Sequence, residues 1–386
     1  MTHQIDLSAA VKAGIIRPEQ AADLVAFSNR DLLKTVADTS RATDDREAFR
    51  LIGGFNDIFV TIGIVLLLAG MAFSLGSVLE QSIVAQFSIM TAVIWLLAEY
   101  ISRVKRMKLP STVLALGFLF CIGSLLQIWL DQRFDFVEPD NALAALVLLD
   151  QGQTAGLIGF SVILAVSVVY FWRFRVPVEA AIIALAATGL VTVGASELFM
   201  DEVAQGQVRL SSVTDVLDLI QRLLVLPLVC GLVIFFTGIY LDFKDRNRLT
   251  TLSDAAFWLH LISAPMIVHP LFILSSGQDV GFGSIEPGTF ATVGLIALMV
   301  IIVLISLAID RRALLIPTLT YFGALGIYRI VENASDNTGI PPFALVLLVI
   351  GALIIIFGMG WQRIRQMVIG SILPNSWLAA LPPIKA

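Results

Sequence analysis

Ten apolar runs follow one another along this chain, and no other feature restricts its fold so tightly. They cover approximately 57–78, 82–102, 110–130, 153–173, 177–199, 219–241, 255–275, 289–309, 313–331 and 342–361. Each is close to the ~20 residues that a helix needs to cross a bilayer core. Backbone N–H and C=O groups in hydrocarbon must be satisfied within their own segment, so the runs are expected to be helices. Composition agrees: 58% of the 386 residues are hydrophobic, only 14% are charged, and the mean hydropathy is +0.89. A soluble domain carries about 25% charged residues. A soluble enzyme, a nucleic-acid binder and a secreted disulfide scaffold are excluded together. The two cysteines, Cys121 and Cys230, both lie inside apolar runs and support neither a disulfide framework nor a Cys-based zinc site.

The expected fold is therefore all-α: a polytopic membrane bundle of about ten transmembrane helices, preceded by a small cytosolic helical hairpin. Residues 1–50 hold that hairpin and a linker, 51–361 the ten spans, and 362–386 an interfacial tail. In the first part, Asp6–Ala13 reads as a short helix stopped by Gly14, a residue that accepts a left-handed cap cheaply. Pro18 and Glu19 then mark the first turn of a second helix running through Phe27. The pair is too small to hold a core alone, so residues 6–27 are a candidate docking piece for a protein partner. No apolar segment of a cleavable signal stands in the first fifty residues, and none is expected.

Orientation follows from the basic residues. With the N-terminus inside, 21 of the 25 Lys and Arg fall on the cytosolic side, leaving Arg133, Arg209, Arg222 and Arg329 outside. Both termini are then cytosolic, and the expected location is a bacterial inner membrane with the bilayer as principal partner. Tyr100, Tyr170, Trp172, Tyr240, Trp258 and Trp361 fall near the cytosolic ends and read as an interfacial aromatic belt. The stretch 364–384, broken by Gly370, Pro374, Pro382 and Pro383, reads as lying along the membrane surface.

Small and polar residues prefer helix–helix contacts to lipid. They collect in the third run (Gly117, Cys121, Ser124, Gln127), the fifth (Ala180, Ala184, Thr188, Thr192, Ser196), the seventh (His260, Ser263, Pro265, His269, Pro270) and the ninth (Thr318, Tyr321, Gly323, Gly326). These runs are expected inside the bundle, with the second, fourth, eighth and tenth outside. A weak repeat accompanies them: Arg106 to Pro110, Arg175 to Pro177 and Arg312 to Pro317 each place a basic residue before a proline near a helix start.

Ionisable groups inside a membrane are functional candidates once local partners are discounted. Glu99 has Arg103 four residues on, Arg222 has Asp218, Arg329 has Glu332, and Glu179 stands near Arg175, so a structural role is expected for these four. Glu197, His260 and His269 have no such neighbour. The histidines are nine residues apart, face opposite sides of a helix and cannot share a metal. Glu197, Arg222, His269, Tyr328 and Arg329 fall at similar depth in the outer third, a mixed-sign set suited to a polar solute or to proton relay. With His260 they are the candidate ion-path residues.

No P-loop, dinucleotide fingerprint, HExxH or GxSxG motif is present, so no cofactor, metal or catalytic residue is assigned and an enzyme is disfavoured. Tyr240-Leu241-Asp242 is only a partial echo of an intramembrane aspartyl protease motif. The leading expectation is a transporter or channel-like protein for a small polar solute or ion. The alternative is a non-catalytic scaffold or assembly factor that binds a partner through the hairpin.

The stretch Ala10-Val11-Lys12-Ala13-Gly14-Ile15-Ile16-Arg17-Pro18-Glu19-Gln20-Ala21, followed by a first span bearing Gly63 and Gly70, resembles the opening of a family of bacterial predicted membrane proteins, domain of unknown function 2157. The resemblance covers the first quarter of the chain. It implies an integral inner-membrane location and brings no reaction with it.

Overall fold

The computed structural model of the chain describes residues 54–79, 82–134, 142–204, 223–245, 250–276, 289–315 and 342–372, with Arg17, Gln20 and Leu319. The chain divides into two compact units, Met1–Gly53 and Gly54–Ala386. In the first, Gln20 is helical and its side-chain oxygen accepts the Arg17 backbone N–H at 3.0 Å, half of a capping box across Pro18. The rest of the expected hairpin lies outside the described residues.

Every regular element among the described residues of the second unit is helical. In chain order these are α1 (Phe55–Val78), α2 (Ile83–Ala98), α3 (Lys108–Arg133), α4 (Ala142–Phe174), α5 (Val178–Ala204), α6 (Val225–Lys244), α7 (Thr251–Ser276), α8 (Thr289–Ile309) and α9 (Pro342–Ile372). Eight of them, α1 to α7 and α9, are long and apolar enough to cross a membrane. In α8 the described apolar stretch is Ile296–Ile309. The run at 313–331 lies almost wholly outside the described residues.

Consecutive helices pack as neighbours, most closely α6 with α7 and α4 with α5. Small residues set those approaches. A Cβ on Gly189 of α5 would stand 2.5 Å from the Phe160 ring of α4, and one on Gly238 of α6 would stand 2.8 Å from the imidazole of His260 on α7. The burial order follows the polar pattern of the sequence. In the most apolar windows, 44% of α7 and 28% of both α3 and α5 are buried, against 6% of α1 and α9. Helix α7 stays continuous through Pro265 and Pro270, as membrane helices can when neighbours re-satisfy the freed backbone groups.

The loop-side ends of α2, α4 and α8 meet α3, α5 and the segment after α8 through sharp corners at the basic end of the bundle. Each corner turns on a left-handed residue that is not glycine: Arg106 (φ 53°), Arg175 (φ 54°) and Asp310 (φ 57°). At the last, the Arg311 N–H reaches back to the Ser306 carbonyl at 2.9 Å, a Schellman closure. The basic-then-proline repeat of the sequence thus coincides with a repeated backbone corner. The corner after α6 differs: Asp245 Oδ2 accepts from the Thr250 N–H (2.8 Å) and Oγ1 (2.7 Å).

Two expectations are corrected. The last helix does not stop at residue 361 but runs to Ile372, so 362–372 belong to a helix packed on the bundle and not to a surface tail. Tyr170 and Trp361 are not part of an interfacial belt; both are almost fully buried, whereas Tyr100, Trp172 and Tyr240 are exposed. Tyr170 instead stacks with Trp95, Phe118 and Phe174, at ring-centroid distances of 5.9, 4.9 and 4.5 Å, in an aromatic cluster joining α2, α3 and α4.

Candidate functional site

The densest polar centre lies at the basic end, where α6, α7 and the corner after α8 converge. Asp242, in the last turn of α6, is its hub. Arg311 donates Nε to Asp242 Oδ2 at 2.9 Å and Nη2 to Oδ1, a two-pronged grip that matches the planar fork of guanidinium to a carboxylate. His260 Nε2 lies 3.0 Å from the same Oδ2. Arg311 Nη2 also donates to Ser253 Oγ at 2.9 Å. His260, Ser253 and Arg311 are all buried.

Local structure explains how these groups meet. Gly238 stands one turn before Asp242 and leaves open the volume that the His260 ring fills. Phe235 closes the other edge of the ring at 5.4 Å. The left-handed turn at Asp310 reverses the chain after α8, so Arg311 points back into the bundle, and Ser306 Oγ fixes it by donating to the Arg311 carbonyl at 2.5 Å.

A second set of ties adjoins the first. Asp310 accepts from Trp361 Nε1 at 2.6 Å and stands 3.8 Å from Arg365 Nη1. The fully buried Arg365 also donates to the Leu307 carbonyl at 2.8 Å, satisfying one of the open carbonyls at the end of α8. Farther along the same end, Glu99 takes Arg173 through two 2.8 Å bonds and Arg103 at 3.4 Å, and Lys108 pairs with Asp254 at 2.7 Å. Glu99 opens a widened π-turn, Glu99–Lys105, that ends α2. The expected Glu99–Arg103 pair is present, but Arg173 is the stronger partner.

One acid at this end stands apart. Glu179, in the first turn of α5, is fully buried, and neither carboxyl oxygen has a hydrogen-bond partner among the described residues. The pairing with Arg175 expected from proximity does not form: Arg175 is exposed, beyond the Pro177 corner. Ser167 and Tyr170 of α4 are the polar groups that interact with this carboxyl, though the Ser167 hydroxyl makes no well-directed hydrogen bond with it.

Of the residues singled out from sequence, His260 is at the centre of the first network and His269 lies half-buried farther along α7. Glu197 is on α5 with its side chain outside the described residues; Arg222, Tyr328 and Arg329 lie wholly outside them. Apart from His269, the side chains of the outer-third set thus lie outside the described residues. Sequence reasoning missed Arg311 and Arg365, which counted only as cytosolic basic residues, gave Asp310 no role, and passed over Asp242 as a fragment of an unrelated motif. A signal was available in Asp242 and Asp245, two acids one turn apart at the end of an apolar run. Among the described residues no group of three or more His, Cys, Asp or Glu is placed to hold a metal. Comparison with protein-family models, with curated proteins and with solved structures gave no match.

Proposed function

We propose that this chain is an inner-membrane transporter or channel-like protein for a small polar solute or ion, with ten spans, both termini cytosolic and the hairpin at residues 6–27 in front. The two apolar runs beyond the eight long helices complete the ten. The distribution of Lys and Arg supports the orientation, which makes the basic end the cytosolic one. The same opening that resembles the unknown-function family 2157 supports the bacterial location.

One observation carries the reading: at the basic end α6, α7 and the segment after α8 are tied by Asp242, His260, Arg311 and Ser253 through ionic and hydrogen bonds, beside the apolar packing of Phe235, Val268 and Leu314. Replacing such buried charges by apolar residues often leaves stability unchanged or improves it, so stability alone gives weak grounds for keeping them. A closure that must open and reseal does need groups that can exchange protein partners for water. The continuous but proline-bearing α7 connects this closure to His269, whose depth suits a solute path toward the outer third.

The test is flux in reconstituted vesicles, with an internal pH-sensitive dye and a potassium gradient clamped by valinomycin. Vesicles carrying the protein should pass protons or monovalent ions above the protein-free level. His269→Ala and Glu197→Gln should abolish that flux while the protein still elutes as an intact particle. Flux equal to that of empty vesicles for every ion and polar solute tried would overturn the reading in favour of a scaffold.

A further inference from the structure

We propose that Glu179, Ser167 and Tyr170 form a proton-binding site, in which Glu179 carries the proton as a neutral carboxylic acid. The site stands apart from the ionic closure at Asp242 and does not depend on the transport reading.

The argument is one of accounting for charge and hydrogen bonds. All three side chains are fully buried, and Glu179 Oε1 and Oε2, Ser167 Oγ and Tyr170 Oη all lack a hydrogen-bond partner among the described residues. A bare carboxylate in such a place is too costly to persist, because nothing offsets the loss of its hydration. Among the described residues, the cationic groups of Arg173, Lys108, Arg311 and Arg175 on the surrounding elements are committed or turned away. On α4, Arg173 grips Glu99. On α3, Lys108 holds Asp254 of α7. On α7, His260 is engaged by Asp242, and Asp242 of α6 by Arg311. Arg175, at the corner before α5, is exposed.

A proton resolves the conflict with the groups present. The protonated carboxyl offers one O–H donor and one C=O acceptor; a serine hydroxyl both donates and accepts, and a phenol donates. A protonated Glu179 can give its O–H to Ser167 Oγ and accept the Tyr170 O–H on its carbonyl once these side chains turn toward one another, so that the three groups satisfy one another. A metal cation fits less well: one carboxylate and two hydroxyls fall short of the six to eight oxygens that calcium takes and of the octahedral set of magnesium. The aromatic cluster around Tyr170 keeps the site apolar on its other side.

Infrared difference spectroscopy on the full-length protein in lipid reads this directly, with the proton as the probe. Wild type should show the carbonyl stretch of a protonated carboxylic acid, moving to lower frequency in D2O. That band should be lost in Glu179→Gln and shifted upward in Tyr170→Phe, which removes a donor to the same carbonyl. Should Glu179→Gln fail to fold, Tyr170→Phe and Ser167→Ala report on the same band without touching the acid. A wild-type spectrum lacking the band, or one unmoved by all three substitutions, overturns the proposal. So does a rise in thermal stability with sodium over choline chloride that Glu179→Gln abolishes, since a cation and not a proton would then neutralise the acid.

Discussion

Two polar regions share the basic end of one bundle and solve the same electrostatic problem differently. Around Asp242 the charges are numerous and matched: one carboxylate receives a guanidinium on both oxygens and an imidazole on one. Around Glu179, among the described residues, a single acid meets two hydroxyls and has no hydrogen-bond partner. The first region draws the corner after α8 to the α6–α7 pair; the second sits across one helical hairpin, α4 and α5. Matched charges cross-link, but each partner depends on the other remaining. An isolated acid links nothing and is held only if it is neutral. The contrast predicts unequal responses to the removal of charge.

The largest effect belongs to the matched region. Asp242→Asn leaves Arg311 buried without its carboxylate, and breaking a buried pair in this way costs about 3–5 kcal/mol. Thermal unfolding in detergent should show a large fall in Tm for Asp242→Asn, with most of it recovered when Arg311→Met is added. Equal losses in the single and double variants would mean that the pair contributes as packing and not as charge. Next comes Trp361→Phe, which keeps the aromatic body but removes the 2.6 Å bond to Asp310. Hydrogen bonds to charged groups contribute about 1.5–3 kcal/mol, so the same assay should give an intermediate loss. The smallest change is expected at Glu179→Gln. It swaps one neutral hydrogen-bonding group for another of the same shape and should stay within about 1 kcal/mol of wild type, well below the cost of breaking a matched pair. A loss as large as that of Asp242→Asn would erase the distinction between the two regions.

Much of the architecture was legible because the bilayer leaves the chain few choices. Run lengths gave the helices, and small or polar residues at helical spacing picked α3, α5 and α7 as buried elements. What failed to read out was direction at the helix ends. Tyr170 and Trp361 have the sequence context of interfacial aromatics, yet each points inward, one to an aromatic cluster and one to Asp310. Arg365 resembles a snorkelling end-of-span charge, yet it caps α8 through the Leu307 carbonyl. Glu179 sits near Arg175 along the chain, but the left-handed turn at Arg175 and the proline after it part the two. Contacts of this kind join residues far apart in the sequence, such as Asp242 and Arg311, and local spacing carries no trace of them. The basic-then-proline repeat was visible, and it marks the corners where these inward charges are made.

The claim that the Asp242–Arg311 tie closes a path can be tested by thiol accessibility. Ser263, fully buried on α7 one turn beyond His260, is changed to cysteine in a chain whose Cys121 and Cys230 are replaced by alanine. A membrane-impermeant maleimide is then applied from the basic side of reconstituted vesicles. The closure predicts no labelling with the tie intact and strong labelling once Arg311→Met and Asp242→Asn remove it together. Labelling that is the same with and without the tie would contradict it.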